Sequence, residues 1–423
     1  TVSVMELRWI SLLGLVTMLA AAWTISRHRR LFPWRTVGWG LGLQFTFALL
    51  ILKTSWGAAV FSFAGAVIRK LLEFANEGCQ FVFGPLAADA ALQRVFPEQP
   101  LVFAVLVTGT IILVSALASL FYHWGVLQKV VYAMAWVMRR AMGTSGSETL
   151  AAAANIFMGQ TEAPLLVKPY LARMTRSELL CLMTGGMATI AGGVAAVYTK
   201  MGVDAGHPDI AGHLLTASVL NAPAALLISK IMLPETEVSE TAGRAPANPP
   251  RTSVNSLDAL CRGAGDGMQL SINVLAMLIA FVAVVALVNF LLTGSQEWLG
   301  VTTPITLQKL LGWLNAPFAW LMGIPAADCV TIGGILGERI VLNEFMGYLA
   351  LTHPDTVVAE RSFVIATYAL CGFANFSSIA IQIGGIGSLA PERRGDMARL
   401  GGRALIGGLL ATYLTATIAG ILL

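Results

Sequence analysis

Charged residues are scarce in this sequence of 423 residues. Asp, Glu, Lys and Arg make up 12% of the chain, whereas 56% of the residues are hydrophobic. Soluble domains carry about 25% charged residues, so a soluble chain of this composition would expose large apolar patches. The composition therefore predicts an integral membrane protein surrounded by a lipid bilayer.

Cysteine and histidine are also scarce, with five residues of each. The cysteines show no paired spacing, and small buried hydrophobic side chains are their simplest interpretation. No histidine pair has metal-ligand spacing, and no Gly-x-Ser-x-Gly turn of a serine nucleophile occurs. The formal net charge of +4 does not suggest a nucleic-acid partner, because an excess of Lys and Arg in a membrane protein mostly reflects its orientation. We therefore expect a protein that is not an enzyme.

Long uncharged segments indicate how the chain crosses the membrane. A spanning helix needs roughly 20 apolar residues, and eight segments of the sequence suit this requirement. They are Trp9–Ser26, Val37–Leu52, Leu101–Tyr122, Cys181–Thr199, Ala211–Ser229, Leu270–Thr293, Ser362–Pro391 and Ala404–Leu423. The sequence thus predicts an all-α polytopic membrane protein with eight transmembrane helices.

The distribution of basic residues predicts the orientation of these helices. The first loop contains Arg27, Arg29, Arg30 and Arg35, and later loops on the same side are also basic. On the opposite side, Met201–Asp209 contains neither Lys nor Arg. Because basic loops remain in the cytoplasm, we expect both termini to face outward.

Two further segments carry charges but are long enough to enter the membrane and return. Gly143–Pro169 and Leu310–Leu349 are predicted to form re-entrant hairpins, since such charges require a protein interior or a wet cavity. Each precedes two predicted spans, and the two units enter from opposite sides, which is an inverted repeat. Ala58–Phe83 is predicted to be an interfacial helix, and Glu235–Ser256 a cytoplasmic linker.

The tip of the first hairpin presents an amide, a hydroxyl and a carboxylate side by side. Gly159 permits a turn there, and Gln160, Thr161 and Glu162 follow it directly. These groups can recognise the edge of a heterocyclic base. Alternatively, Thr161 and Glu162 cap a helix through their own backbone, and both interpretations stay open.

The second hairpin supplies another acid, Glu344. A carboxylate can accept hydrogen bonds from both hydroxyls of a ribose. Alternatively, Glu344 forms a structural ion pair with Arg339, and for Glu338 such a structural role is the favoured interpretation.

Polar residues also interrupt two predicted spans. Span four is glycine-rich between Thr184 and Val194, which indicates either close helix packing or an opened backbone that binds a cation with Asn155 and Thr189. In span seven, Asn375 and Ser378 either bond neighbouring helices or reach sugar hydroxyls, with Phe373 offering a ring face to a base.

Together these motifs resemble the concentrative nucleoside transporter family, in its bacterial, sodium-coupled type. The residues that carry the resemblance are Gly159–Leu165, Asn343–Phe345, Gly372–Ile379 and Phe74–Gly84. The resemblance extends over about Leu71–Leu423 and implies an elevator-type homotrimer. It implies a scaffold at 1–142, a first transport-domain repeat at 143–234, a linker with scaffold span six at 235–305, and a second repeat at 306–423.

The resemblance also implies which part of the substrate, or which ion, each site residue contacts. The base would contact Gln160, Thr161, Glu162, Val194 and Phe373. The ribose would contact Glu344, Asn375 and Ser378. Sodium, the coupling ion, would be held by the side chains of Asn155 and Thr189 and the carbonyls of Met158 and Ile190.

The expected function is sodium-coupled symport of uridine-like nucleosides across a bacterial inner membrane. A proton-coupled nucleoside symporter, or an elevator carrier for another neutral polar solute, are the alternatives. Two positions depart from the family pattern: Arg339 replaces a lysine, and Met346-Gly347 replaces Val-Ala. The first change keeps the charge, whereas the second leaves base selectivity open.

Overall fold

The structure is a computed structural model that describes residues 3–88, 102–242, 253–298, 301 and 304–423. The centre of the predicted cytoplasmic linker and Leu101 lie outside these residues. Within them, every regular element is a helix, as the composition predicts.

Ten α-helices lie in the described residues before residue 250. They are α1 (Val4–Thr24), α2 (Trp34–Lys53), α3 (Ser55–Phe83), α4 (Phe103–His123), α5 (Val126–Met142), α6 (Gly146–Ala154), α7 (Lys168–Leu171), α8 (Arg176–Ala188), α9 (Gly192–Asp204) and α10 (Ile210–Met232). The predicted amphipathic segment, Ala58–Phe83, lies within the single helix α3. Helix α6 begins at a capping box, in which Ser145 N donates to Glu148 Oε1 at 2.7 Å.

Seven helices form the second half of the described chain. They are α11 (Ser256–Trp298), α12 (Leu307–Leu321), α13 (Cys329–Val341), α14 (Glu344–Leu351), α15 (Glu360–Leu370), α16 (Phe376–Leu389) and α17 (Arg394–Leu422). Helix α11 packs along α4, and α12 packs along α13. Gly312 and Gly333 allow the second contact, because a Cβ on either would lie within 2.8 Å of the facing backbone.

Five described helical segments are long and apolar enough to cross a membrane, or six if the bent pair formed by α4 and α5 counts as one span. They include five of the eight predicted spans. Predicted span seven, Ser362–Pro391, is instead two short helices, α15 and α16, separated at Cys371–Asn375. The number of eight spans therefore stays a prediction.

The two halves repeat one order of elements. In each half, short helices around a tip are followed by an interrupted helix, α8–α9 or α15–α16, and then by a long helix, α10 or α17. Gly143 and Gly323, which stand before the two tips, both have positive φ angles, of 71° and 88°. Glycine adopts this conformation without steric cost, which explains why the sequence keeps glycine at both positions.

A buried ion pair joins α6, at the start of the predicted first hairpin, to α10. Lys230 Nζ lies 2.7 Å from Glu148 Oε2, and both side chains are almost fully buried. Lys230 also donates to Ser177 Oγ at 2.9 Å and to Glu235 Oε2 at 3.2 Å. This lysine therefore connects α6, α8, α10 and the segment that follows α10.

Replacing this lysine should destabilise the protein. Lys230→Met leaves the Glu148 carboxylate buried without its cation, which should lower the free energy of unfolding by about 3–5 kcal/mol. The exposed pair between Arg173 and Glu240, 3.0 Å apart, supplies the control, because Arg173→Met should cost less than about 1 kcal/mol. Denaturation of both purified variants in detergent measures the difference, and equal stabilities would contradict the role of Lys230.

Candidate functional site

The first hairpin tip lies between α6 and a 3-10 helix at Ala163–Val167. Pro164 stands in the first turn of that helix, a position that proline favours. Gln160 is buried, whereas Thr161 and Glu162 are exposed within the described chain. Glu162 Oε2 accepts a hydrogen bond from Gly159 N at 3.2 Å, so this carboxylate has a local backbone contact and keeps an exposed face.

The second tip lies between α13 and α14 and holds the other predicted acid. Asn343 caps α14 by accepting from Met346 N at 3.0 Å. The next residue, Glu344, is 6% exposed. Its carboxylate accepts from the Tyr198 hydroxyl at 3.0 Å and from Asn375 Nδ2 at 2.9 Å. These donors come from two other helical regions and fix the direction of the carboxylate.

The interruption of the second broken helix, at Cys371–Asn375, brings further polar groups to the same place. Asn375 Oδ1 accepts from Ser378 N at 2.8 Å and so caps α16. Gly372 makes this interruption possible, because a Cβ there would lie 2.8 Å from the Met187 carbonyl oxygen of α8. A helix N-terminus presents free backbone N–H groups to a ligand.

All eight residues predicted to bind substrate line one cavity. Its lining includes Gln160, Thr161, Glu162, Val194, Glu344, Phe373, Asn375 and Ser378. The described residues give neither Glu162 nor Glu344 an ion-pair partner. The cavity therefore offers two carboxylates, several neutral polar groups and an aromatic ring to one small molecule.

Arg339 does not take the structural role that the sequence left open for it. Its guanidinium donates to the Ala369 carbonyl and to Thr412 Oγ1, and it is fully buried. Within the described part of the chain it forms no ion pair with Glu338 or Glu344. The carboxylate of Glu344 is consequently free to interact with a ligand.

The interruption of the first broken helix leaves buried oxygen atoms near the first hairpin. Helix α8 ends at Ala188, and Thr189 has an extended backbone with φ −125° and ψ 164°. The backbone of span four is thus interrupted at Thr189, whereas cation binding at this interruption stays a prediction. Gly192 N donates to the Phe157 carbonyl at 3.3 Å, which joins the segment of Thr189 and Ile190 to that of Asn155 and Met158.

Asn155 is the group there that lacks partners. It is 1% exposed, and neither Oδ1 nor Nδ2 has a hydrogen-bond partner in the described chain. Thr189 Oγ1 donates to the Gly185 carbonyl at 2.9 Å, which leaves its oxygen lone pairs available. Neutral oxygen ligands of this kind fit a hard cation such as sodium.

Several residues around the cavity were not predicted from the sequence. Tyr198 bonds Glu344, Leu270 and Val274 of α11 form part of the wall, and Gln382 bonds Gln160 from outside the lining. A tyrosine and a glutamine inside otherwise apolar segments were the available signals for two of them. The two aliphatic residues carry no such signal, since their role depends on how α11 packs.

The chain matches three family models. Residues 213–420 match the model described as "Na+ dependent nucleoside transporter C-terminus", and residues 13–86 match the corresponding N-terminus model. Residues 104–205 match a gate model described as "Nucleoside recognition". The three ranges together include both hairpin tips and both broken helices.

Relatives match nearly the whole chain. An uncharacterised transporter of Haemophilus influenzae is 43% identical, with 97% of each chain covered. The uncharacterised transporter YutK of Bacillus subtilis is 40% identical, with 98% of this chain and 99% of the relative covered. Sodium/nucleoside cotransporter 2 of Rattus norvegicus is 39% identical over 98% of this chain, which spans 62% of the length of the rat protein.

Solved structures show the same fold. The structure of CNTnw in an inward-facing substrate-bound state is 37% identical, covers 98% of this chain and 97% of its own, and has a TM-score of 0.90. A variant of CNTnw in an outward-facing state has a TM-score of 0.92, with 36% identity and 99% of each chain covered. By sequence and by fold, this chain belongs to the family of sodium-dependent, concentrative nucleoside transporters, which are carriers and not enzymes.

Proposed function

We propose that this protein imports nucleosides by symport with sodium. The convergence of Glu344, Asn375 and Glu162 on one cavity carries this proposal. Ribose is neutral and rich in hydroxyl groups, which donate well to carboxylates. Two carboxylates would repel an anionic solute, so the charge of the cavity favours a nucleoside over a nucleotide or an organic acid.

Ribose recognition is assigned to Glu344, Asn375 and Ser378. Tyr198 and Asn375 already donate to the Glu344 carboxylate, which retains acceptor capacity for the sugar, since a carboxylate has about four acceptor positions. Ser378 lines the cavity beside Asn375. Because Glu344 is buried, its direction is set before the sugar arrives, which lowers the cost of binding.

Base recognition is assigned to the first hairpin tip and two apolar side chains. Gln160, Thr161 and Glu162 supply polar groups for the base edge, while Val194 and Phe373 supply surfaces that pack on the base. An aromatic ring can stack on any nucleobase, because every base has a π-face.

Sodium binding is assigned to the segment where the first hairpin meets the interruption of α8–α9. The ligands would be the side-chain oxygens of Asn155 and Thr189 with the carbonyls of Met158 and Ile190. The buried amide of Asn155, which has no hydrogen-bond partner among the described residues, supports this assignment, because buried polar groups ordinarily have partners.

The transport movement proposed for the chain is an elevator displacement in a homotrimer. The scaffold would comprise 1–142 and 235–305, and the transport domain would comprise the inverted repeats at 143–234 and 306–423. We place the protein in a bacterial inner membrane with eight spans, two re-entrant hairpins and both termini outward. The repeated order of elements supports the paired repeats, and the relatives in Haemophilus influenzae and Bacillus subtilis support a bacterial membrane as the location.

Uptake of radiolabelled uridine into proteoliposomes tests the proposal directly. Uptake should accumulate uridine above its external concentration under an inward sodium gradient, and not when choline replaces sodium. An imposed proton gradient without sodium should give no accumulation. Accumulation driven by protons alone would refute sodium coupling, and absence of any nucleoside uptake would refute the function.

Removing the charge of the ribose-binding acid should abolish transport. Hydrogen bonds to a charged group contribute about 1.5–3 kcal/mol each, so Glu344→Gln should reduce uridine uptake roughly 100-fold or more. Glu338→Gln is the matched control, since Glu338 belongs to the same hairpin and does not line the cavity. Near-normal uptake by a folded Glu344→Gln protein would remove Glu344 from the site.

Removing the hydroxyl of Thr189 should weaken sodium activation. Thr189→Ala should raise the sodium concentration for half-maximal uptake about tenfold, the effect of losing roughly 1.4 kcal/mol of ion binding, while uridine affinity at saturating sodium changes little. Thr199→Ala is the control, because Thr199 Oγ1 makes the same bond one turn back, to Ala195 O at 2.9 Å. A larger effect on uridine affinity than on sodium activation would contradict the assignment.

Truncating the aromatic wall should weaken binding of the base. Stacking on an aromatic side chain is worth about 1–3 kcal/mol per base, so Phe373→Ala should lower uridine affinity about tenfold. Phe376→Ala, three residues along the chain at a position that is 58% exposed and outside the cavity lining, should leave affinity unchanged. Equal uridine affinities for the two variants would show that Phe373 packs within the protein and does not contact the base.

A further inference from the structure

Gln382 is a fully buried glutamine of α16 that does not line the cavity. Its side-chain nitrogen donates two hydrogen bonds, to Gln160 Oε1 at 3.1 Å and to the Met183 carbonyl oxygen of α8 at 3.0 Å. The first hairpin tip, α8 and α16 therefore meet at this one amide group.

The amide of Gln160 is held at both of its ends. Its oxygen accepts from Gln382, and its nitrogen donates to Ser378 Oγ at 3.1 Å. Gln160 is itself 6% exposed and lines the cavity. Its nitrogen carries a second N–H, for which the described residues supply no acceptor, so this donor is available to a ligand in the cavity.

The Met183 carbonyl fixes the direction of this chain of bonds. A carbonyl oxygen can only accept, so Gln382 must turn its NH₂ group toward it. The same NH₂ group also faces Gln160, whose side-chain oxygen accepts its second hydrogen bond. A reversed Gln382 would bring its oxygen close to two other acceptor oxygens, those of Met183 and Gln160. The observed orientation avoids this contact, although it leaves Gln382 Oε1 without a partner in the described chain.

Gly186 gives these two amides room. A Cβ at this position of α8 would lie 2.8 Å from Gln382 Nε2 and 2.9 Å from Gln160 Cβ. Only a residue without a side chain lets both glutamines approach α8 this closely. The contact therefore depends on the local sequence of α8 as well as on the glutamines.

We propose that Gln382 is a positioning residue that sets the hydrogen-bond polarity of Gln160, so that the site presents a donor to the base. The site should then favour nucleosides whose base carries an acceptor, a carbonyl oxygen or an unprotonated ring nitrogen, at the position that Gln160 reaches. This inference rests on the proposed nucleoside transport. It assigns selectivity to a buried residue that does not line the cavity.

Nucleoside analogues in which one acceptor of the base is removed or weakened test the proposal. The probes are uridine with 4-thiouridine, whose sulfur accepts more weakly than the O4 it replaces while N3–H is kept, and adenosine with its 1-, 3- and 7-deaza analogues, used as competitors of labelled uridine uptake into proteoliposomes. The wild-type protein should bind at least one analogue about three- to tenfold more weakly than its parent, the range expected for one neutral hydrogen bond. Gln382→Leu should bring that ratio close to one.

A matched control separates positioning from general packing. Gln44 is another fully buried glutamine that bonds a carbonyl between helices, donating to Leu220 O at 3.1 Å, and it lies outside the cavity. Gln44→Leu should keep the wild-type discrimination. If Gln382→Leu does not fold, Gln382→Met, whose flexible side chain has similar length, gives the same comparison.

Combining variants supplies the second criterion. In a Gln160→Ala background, where the discrimination is already lost, adding Gln382→Leu should change the ratio no further. Unchanged discrimination in the Gln382 variants, or a wild-type protein that binds every analogue as well as its parent, would overturn the inference while nucleoside uptake stands. A wild-type protein that neither transports nor binds uridine would instead overturn the proposed function.

Discussion

The buried carboxylate of Glu344 imposes the strongest constraint on this structure. An acid that is 6% exposed requires hydrogen-bond partners, since burial without them costs several kcal/mol. The partners come from Tyr198 of α9 and from Asn375 at the interruption of α15–α16. Satisfying one carboxylate therefore holds the second hairpin tip against two broken helices, and the cavity forms where these three elements meet.

Much of this arrangement could be predicted from the sequence, because polar residues in apolar segments are costly and therefore informative. Glu162, Glu344, Asn375 and Ser378 stood out for that reason, and the cavity contains all four. Four glycines near Thr189 indicated either close helix packing or an opened helix, and the structure shows an interruption there. Such residues can be recognised from the local sequence alone, without knowledge of the tertiary structure.

The remainder depends on tertiary contacts that no local pattern encodes. Ser362–Pro391 is uncharged throughout and was predicted to be one span, yet it breaks at Cys371–Asn375. The break is stabilised by caps and by partners from other elements, including Asn221 Nδ2, which donates to the Cys371 carbonyl at 2.7 Å. Gln382 was missed for a related reason: a single amide in an apolar helix does not reveal which group it bonds.

The two interruptions contact each other, and this contact links the proposed ion site to the proposed substrate site. Phe373 N donates to the Thr189 carbonyl at 3.3 Å, so the residue assigned to the base is bonded to a residue assigned to sodium. With sodium bound at Thr189 as proposed, ordering of this segment favours the backbone position that places Phe373 in the cavity. Because coupling between two binding sites is reciprocal, a bound nucleoside then raises sodium affinity by the same factor, so that each ligand favours occupancy of the other site.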